Sequence, residues 1–400
     1  MPAKLRLRLF PRAESAVLRG HPWVFSDGVK EQNRPGEPGE VAVVYDRSDR
    51  FLALGFFDPL SPIRLRVFQV RKPVLVGEAF WRERIRCARA LREASSVFGS
   101  GTTGGRWING ESDALPGLVV DRYDTTLVVK IYIPAWLELL DSLEAALREE
   151  LHPAFLMLRL SRNLAGLALD RWGVSEGFRG DSGLDPVVFE ENGLLFEAQV
   201  RQGQKTGFFL DQRENRQRVG EMSRDRDVLN VFSYSGGFSV YAARAGARSV
   251  TDLDISAHAL ESARRNLRLN ASASRLPPVE HHCLQADAFE WLRSSPASTY
   301  GVVVLDPPSL APREANRSAA LEGYAALASG GIRVLRRDGI LVSASCSSHV
   351  HQEEFFDTVR RTAHRSGRRV RELWTSGHAP DHPATFPEAH YLKAICLHLD

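Results

Sequence analysis

Two residues with reactive or charged side chains stand where apolar runs end. Cys346 closes the run Ile340-Leu-Val-Ser-Ala-Ser-Cys, and Asp306 follows Val302–Leu305 and opens Asp306-Pro-Pro-Ser. A thiol flanked by Ser345, Ser347 and Ser348 suits a nucleophile if its surroundings favour the thiolate. The alternative is packing, since free cysteine is among the most buried residue types. Pro307 and Pro308 stiffen the turn after Asp306, so a carboxylate and carbonyls can grip the edge of a flat nitrogenous ring, with Ser309 beside them. Here the alternative is an ordinary strand end, which Asp and Pro also favour. Together the two residues suit one kind of chemistry. Carbon 5 of a pyrimidine is a poor nucleophile until a thiolate adds at carbon 6. A carboxyl on the N3/N4 edge would steady the charge that develops. Alkylation of an exocyclic amine needs no thiol.

These groups need a scaffold that gathers strand ends. Leu229-Asn-Val-Phe-Ser-Tyr-Ser-Gly-Gly is an apolar strand running into a glycine turn, followed by a helical pattern to Gly246 and a strand Ser249–Asp254 ending in a carboxylate. In doubly wound sheets this unit holds an adenosine, with the strand-end acid on the ribose hydroxyls. Gly-x-Gly-x-x-Gly, which would seat a pyrophosphate, is replaced by Phe-Ser-Tyr-Ser-Gly-Gly. The bulky turn points to a phosphate-free ligand such as S-adenosylmethionine. Phe232, Ser233, Tyr234, Gly236, Asp254 and Ile255 are the expected contacts, with Asp287 and Ala288 placed for the adenine. Ser256 is the expected N-cap of the next helix. Further strands are expected at Val302–Asp306 and Ile340–Cys346, with Val370–Trp374 and Tyr391–Leu399 as a closing pair. Ligands bind beyond the carboxyl ends of such strands, which would bring Phe232–Gly237, Asp254, Asp306–Ser309 and Cys346 together.

The rest of the chain reads differently. Four hundred residues exceed one compact core, and 43% hydrophobic with 25% charged residues describe a globular protein. Residues 1–72 alternate as short strands, with Pro35–Glu40 as a break, and suit a small β-barrel. Residues 73–184 mix a helix over Glu78–Phe98, a flexible Ser100–Gly105, strands at Leu118–Asp121, Leu127–Ile133 and Phe155–Leu160, and a helix over Trp136–Glu150. From 185 to 400 strands and helices alternate, which implies a mostly parallel sheet. The net charge is +3, while residues 1–71 alone hold twelve Lys or Arg against eight Asp or Glu, so this segment carries the excess and is expected to contribute RNA affinity. The four cysteines are widely spaced, and adjacent His281-His282-Cys283 would not converge on one ion, so neither disulfide nor metal is expected. No secretory h-region or membrane-length apolar run occurs, and a cytoplasmic location is expected.

Several longer segments carry a resemblance. Gly20-His-Pro-Trp-Val-Phe-Ser, Gly110-Glu-Ser-Asp-Ala-Leu-Pro-Gly-Leu-Val-Val-Asp-Arg-Tyr, Lys205-Thr-Gly-Phe-Phe-Leu-Asp-Gln-Arg-Glu-Asn-Arg and Tyr391-Leu-Lys occur in the order found in a known family. That family is the bacterial large-subunit ribosomal RNA cytosine-C5 methyltransferases with an N-terminal PUA domain, which the chain resembles over nearly its whole length. The resemblance implies a PUA barrel (1–72), a central α+β domain (73–184) and an α/β, Rossmann-like class I methyltransferase domain (185–400). It implies S-adenosylmethionine as cofactor, with Phe208, Gln212 and Arg213 on its approach and Asp306 beside it. It further implies Cys346 as nucleophile, Asp306 as base-binding acid, Pro307, Pro308 and Ser309 on the substrate, and ribosomal RNA as partner. Oligomeric state stays open, a homodimer included. Ser309 and Leu310 replace the usual Lys and Phe after Asp-Pro-Pro, and Gly323-Tyr-Ala-Ala-Leu-Ala lacks a usual Lys and Asn. Two other readings therefore stand: a guanine or amino-nitrogen RNA methyltransferase with structural Cys346, and a non-catalytic ribosome-assembly factor. A dehydrogenase is a distant fourth.

Overall fold

The computed structural model describes residues 4–95, 97–99 and 101–400. Its contacts divide into two compact units. The first comprises Met1–Phe189, Ala198–Phe208 and Pro380–Pro387, and the second comprises Glu190–Glu197, Phe209–Ala379 and Glu388–Asp400.

The first unit holds two sheets. Leu5–Leu9 has every second residue buried, and it lies parallel to Val41–Tyr45 and antiparallel to Val29–Gln32 within a six-stranded sheet. The residues between fold into a helix, Pro11–Leu18, because proline at its first turn has the right φ and gives up no needed N–H. A five-stranded sheet follows, containing Gly104–Asn109, Leu118–Tyr123, Thr126–Ile131, Phe155–Leu160 and Gly177–Phe178. Aromatic rings of the first sheet pack on helices that follow it: Phe56 lies 5.2 Å from Trp81 and 5.5 Å from Trp136, and Phe68 lies 4.9 Å from Trp81.

Several expected elements differ here. The helix from Glu78 ends at Glu93, and Trp136–Glu150 is two helices, Ala135–Glu138 and Leu140–Leu151. Gly104 and Gly105, expected in a flexible stretch, are buried strand residues; Ser100 lies outside the described residues. Glycine is required at 104 because a Cβ there would lie 2.1 Å from the Phe189 ring. The helix Arg162–Trp172 was not expected.

In the second unit we number the helices α1 (Arg213–Glu221), α2 (Gly237–Arg244), α3 (Ala257–Ser272), α4 (Ala288–Ser294), α5 (Arg317–Val334) and α6 (Gln352–Arg365). The strands are β1 (Asp227–Val231), β2 (Ser249–Asp254), β3 (Glu280–Gln285), β4 (Tyr300–Leu305), β5 (Leu335–Ser345), β6 (Val370–Ser376) and β7 (Lys393–Leu399). Their order in the sheet is β3-β2-β1-β4-β5-β7-β6. The first five run parallel, and β7 runs antiparallel to both β5 and β6. β4 is buried along its whole length, as a central strand covered on both faces must be. Strand order reverses beside β1, so its end and that of β4 flank the crevice where such sheets take ligands. This is the expected doubly wound α/β domain.

Candidate active site

The turn after β1 is held in an unusual backbone. Phe232, Tyr234 and Gly236 have φ of 61°, 48° and 73°. Two non-glycine residues in the left-handed region cost of order 1–3 kcal/mol each, and such strain concentrates at ligand-contacting turns. Ser233 N donates to Leu253 O (3.1 Å), and Gly236 N donates to Ser233 O (2.9 Å). The Ser233 hydroxyl is buried and has no protein partner. Gly236 is held to glycine by its positive φ and by packing, since a Cβ there would meet Ala263 Cβ at 2.7 Å.

Asp254, at the end of β2, accepts from Tyr234 N through Oδ2 (3.0 Å) and from Ser256 N through Oδ1 (2.9 Å). Each carboxylate oxygen accepts two hydrogen bonds, so both retain capacity for a ribose hydroxyl. Ile255 follows with 69% of its surface exposed, an apolar face beside that carboxylate. Asp287 proves to be the N-cap of α4, accepting from Glu290 N at 3.0 Å, with the rest of the side chain exposed; Ala288 is buried behind it. The exposed acid, the partnerless serine hydroxyl and the apolar shelf together fit an adenosine.

The second half of the site is at the ends of β4 and β5. Asp306 Oδ2 accepts from Gln212 Nε2 (2.9 Å), Gln212 Oε1 accepts from Asn215 Nδ2 (2.6 Å), and Asn215 Oδ1 accepts from Ser376 Oγ (2.5 Å). Gln212 and Asn215 are buried, so this relay fixes the plane of the Asp306 carboxyl. Arg213 is also buried, and its Nε donates to Glu214 at 3.3 Å. Phe208 belongs to the first unit, where its ring packs 5.2 Å from Phe189 and its N–H donates to Tyr123 OH at 3.1 Å.

Cys346 is half-buried directly after β5, with Sγ 3.9 Å from Pro307 O. Pro308 and Ser309 are exposed. Ser347 ties the two loops together. Its Oγ accepts from Leu310 N (3.1 Å) and Ala311 N (3.2 Å) and lies 3.2 Å from Ser309 Oγ and 2.8 Å from Tyr324 OH. Ser345 Oγ donates to the same Tyr324 hydroxyl (2.8 Å). Burial pushes the Tyr324 phenol up, so it stays neutral and keeps its proton for these bonds. Sequence reasoning missed Ser347 and Tyr324, although both sit inside segments it had singled out.

His281 and Cys283 do converge, together with Asp252. His281 Nε2 lies 2.9 Å from Asp252 Oδ2 and 3.5 Å from Cys283 Sγ, while His282 pairs instead with Glu280. Asp252 also accepts from Asn230 Nδ2 (2.9 Å) and Ser239 Oγ (2.6 Å). Burial, first, and then the Asp252 charge push the Cys283 thiol up, and the three side chains stand close enough together to be able to hold a metal ion. The cluster is a hydrogen-bonded brace between β1, β2 and β3.

Comparison with known proteins agrees with this geometry. Residues 118–337 match the sequence model of S-adenosylmethionine-dependent methyltransferases, and residues 7–69 match that of PUA-like domains. A Deinococcus radiodurans protein named ribosomal RNA large subunit methyltransferase is 54% identical, covering 99% of this chain and 98% of its own. The ribosomal RNA large subunit methyltransferase I of Shewanella amazonensis is 35% identical, covering 98% of each. A solved Streptococcus mutans chain superposes with a TM-score of 0.81 at 20% identity, covering 98% of this chain and 99% of its own. Another, complexed with S-adenosylhomocysteine, gives 0.81 at 21% over 98% and 99%; likeness at this identity shows the fold alone. With S-adenosylmethionine as cofactor and a PUA-like domain near its start, the chain belongs to the S-adenosylmethionine-dependent methyltransferase family, among the ribosomal RNA large subunit methyltransferases.

Proposed function

We propose that this enzyme forms 5-methylcytosine in large-subunit ribosomal RNA through a covalent adduct between Cys346 and carbon 6 of the base. The names of its relatives support the RNA class. One observation carries the choice of atom: the Cys346 thiol and the Asp306 carboxyl stand at the ends of adjacent parallel strands, with Sγ 3.9 Å from Pro307 O. A nucleophile and a base-edge acid on neighbouring strand ends are what attack at carbon 6 requires.

Bound S-adenosylmethionine supplies an electrophilic methyl group. Within this reading Asp254, the Phe232–Gly236 turn, Ile255, Asp287 and Ala288 hold its adenosine, and Gln212 and Arg213 shape the approach from α1. Phe208 belongs to the same sequence motif as Gln212 and Arg213. Asp306, held by Gln212, takes the N3/N4 edge of cytosine, and Pro307, Pro308 and Ser309 line the base. The Cys346 thiolate adds to carbon 6, and the displaced double-bond electrons make carbon 5 nucleophilic. Carbon 5 takes the methyl group. A base then removes the carbon 5 proton, the double bond re-forms and the carbon–sulfur bond breaks, returning the thiolate. In the same reading residues 1–72 dock RNA and residues 73–184 form the central α+β domain.

Replacing Cys346 with Ala is expected to abolish methyl transfer and leave cofactor affinity within about twofold, because the thiol makes no required cofactor contact. RNA carrying 5-fluorocytosine cannot lose its carbon 5 substituent, so the wild type is expected to form an adduct visible on a denaturing gel. Continued methylation by the Cys346→Ala enzyme, or an adduct at another residue, would transfer the reading to nitrogen methylation.

A further inference from the structure

Lys393 is one of six lysines in the chain, and it is 2% exposed. It opens β7, where it stands in register opposite Ser345, the residue before Cys346. Its Nζ donates to the carbonyls of Ser347 (2.6 Å) and Val350 (2.5 Å), the turn that carries the chain away from Cys346. Burying an ammonium is costly unless carbonyls or an anion receive its protons. Two backbone carbonyls are neutral, so the charge itself still lacks a full counterpart.

The groups that face it are few. Glu354 approaches from α6 but is already paired with Arg317 and caps its own helix through His351 N. Tyr324 on α5 is neutral and engaged with Ser345 and Ser347. Asp306 at the end of β4 is held by Gln212. Among the described residues, the ionisable groups that act on its charge are the Cys346 thiol, first, and Glu354.

We propose that Lys393 is a positioning residue for the Cys346 step, its buried ammonium fixing the 347–350 turn and stabilising the neighbouring thiolate. The proposal rests on Cys346 being the nucleophile, but its physical content, an ammonium–thiolate coupling, is measurable without methyl transfer. Desolvation lowers the Lys393 ammonium to about 8, while Cys346, first, and Glu354 pull it back up. The ammonium is therefore the main form at neutral pH, when the thiolate is needed. Tethering through carbonyls keeps it from swinging to solvent, as a surface lysine would.

The test uses the full-length protein and alkylation of Cys346 by iodoacetamide across a pH series, read on the Cys346 peptide by mass spectrometry. Lys393→Met should move the alkylation midpoint to higher pH and slow modification near neutrality by about tenfold, since only the thiolate reacts. Lys393→Arg, which keeps the charge, should recover most of the wild-type profile. A Lys393→Met protein that still binds S-adenosylmethionine and shows the wild-type profile would overturn the proposal. Should Lys393→Met not fold, the lysine side chains of the wild type and of Cys346→Ser are titrated by NMR. Loss of the thiolate should lower the Lys393 midpoint, and an unchanged midpoint would overturn the coupling. Failure of the carbon 5 mechanism looks different: Cys346→Ala would still methylate RNA, whatever the alkylation profile.

Discussion

At the scale of single residues, the acids and the thiol were legible because strand ends announce themselves. An apolar run that stops at Asp or Cys places that side chain on the sheet's ligand-binding edge, and Asp254, Asp306 and Cys346 are there. Asp254→Ala removes the acceptor proposed for the ribose and also the clamp on Tyr234 N and Ser256 N. Titration calorimetry should show S-adenosylmethionine binding weakened by about 1.5–3 kcal/mol, the worth of a charge-assisted hydrogen bond. Equal affinity in mutant and wild type would remove Asp254 from the cofactor site. Partners were harder to read than positions. Ser347 looks like one serine among several, and Lys393 like a strand-edge lysine. Their importance comes from atoms contributed by other segments, and no local pattern carries that information.

At the scale of elements, β4 and β5 could be read because buried parallel strands are continuously apolar, and α3 because Leu260, Ala263 and Leu267 share one face. Two asparagines on α3 were not legible. Asn270 Oδ1 accepts from Leu195 N (2.8 Å) while its Nδ2 donates to Leu195 O (2.7 Å), and Asn266 Oδ1 accepts from Glu197 N (2.9 Å). Both are fully buried, yet in sequence they pass for the polar side of an amphipathic helix. They give a strand edge, Leu194–Ala198, the backbone partners that another strand would supply. Asn270→Ala strands both groups of Leu195 and should cost about 1–3 kcal/mol, seen as a lower urea midpoint with an unchanged slope. A midpoint equal to wild type would mean that water replaces the amide fully.

At the scale of the whole molecule, the sequence suggested three successive regions, each with its own patterning. Contacts instead gather residues 198–208 and 380–387 into the first unit, although both lie within the region expected to fold as the methyltransferase domain. Those insertions are held by buried hydrogen bonds to distant residues, some of which are themselves ion-paired. Arg92 forms a two-pronged pair with Asp113 (2.5 and 2.7 Å) and donates to Asp381 O (3.1 Å), while Asp381 Oδ2 accepts from Arg106 N (2.8 Å). Thr206 Oγ1 donates to Asp121 (2.5 Å) and meets Tyr123 OH at 2.9 Å. The sequence reads 185–400 as the methyltransferase domain, but a fragment cut there strips Thr206 and Asp381 of these partners. The fragment should melt well below the full chain and over a broader range, which calorimetry or circular dichroism would show. A sharp transition at the full-length temperature would make the insertions dispensable.

The place of β7 has a consequence for how the protein folds. Lys393–Leu399 lies between β5 and β6 and hydrogen-bonds to both, so β6 is joined to the sheet only through a strand that follows it in the chain. Asp381, whose carbonyl accepts from Arg92 and whose carboxylate accepts from Arg106 N, stands 289 and 275 positions from them in the chain. Both closures are long-range contacts, in which loop-closure entropy is spent before the pairing returns anything. They are therefore expected to form late in folding, after the local helices and hairpins around them.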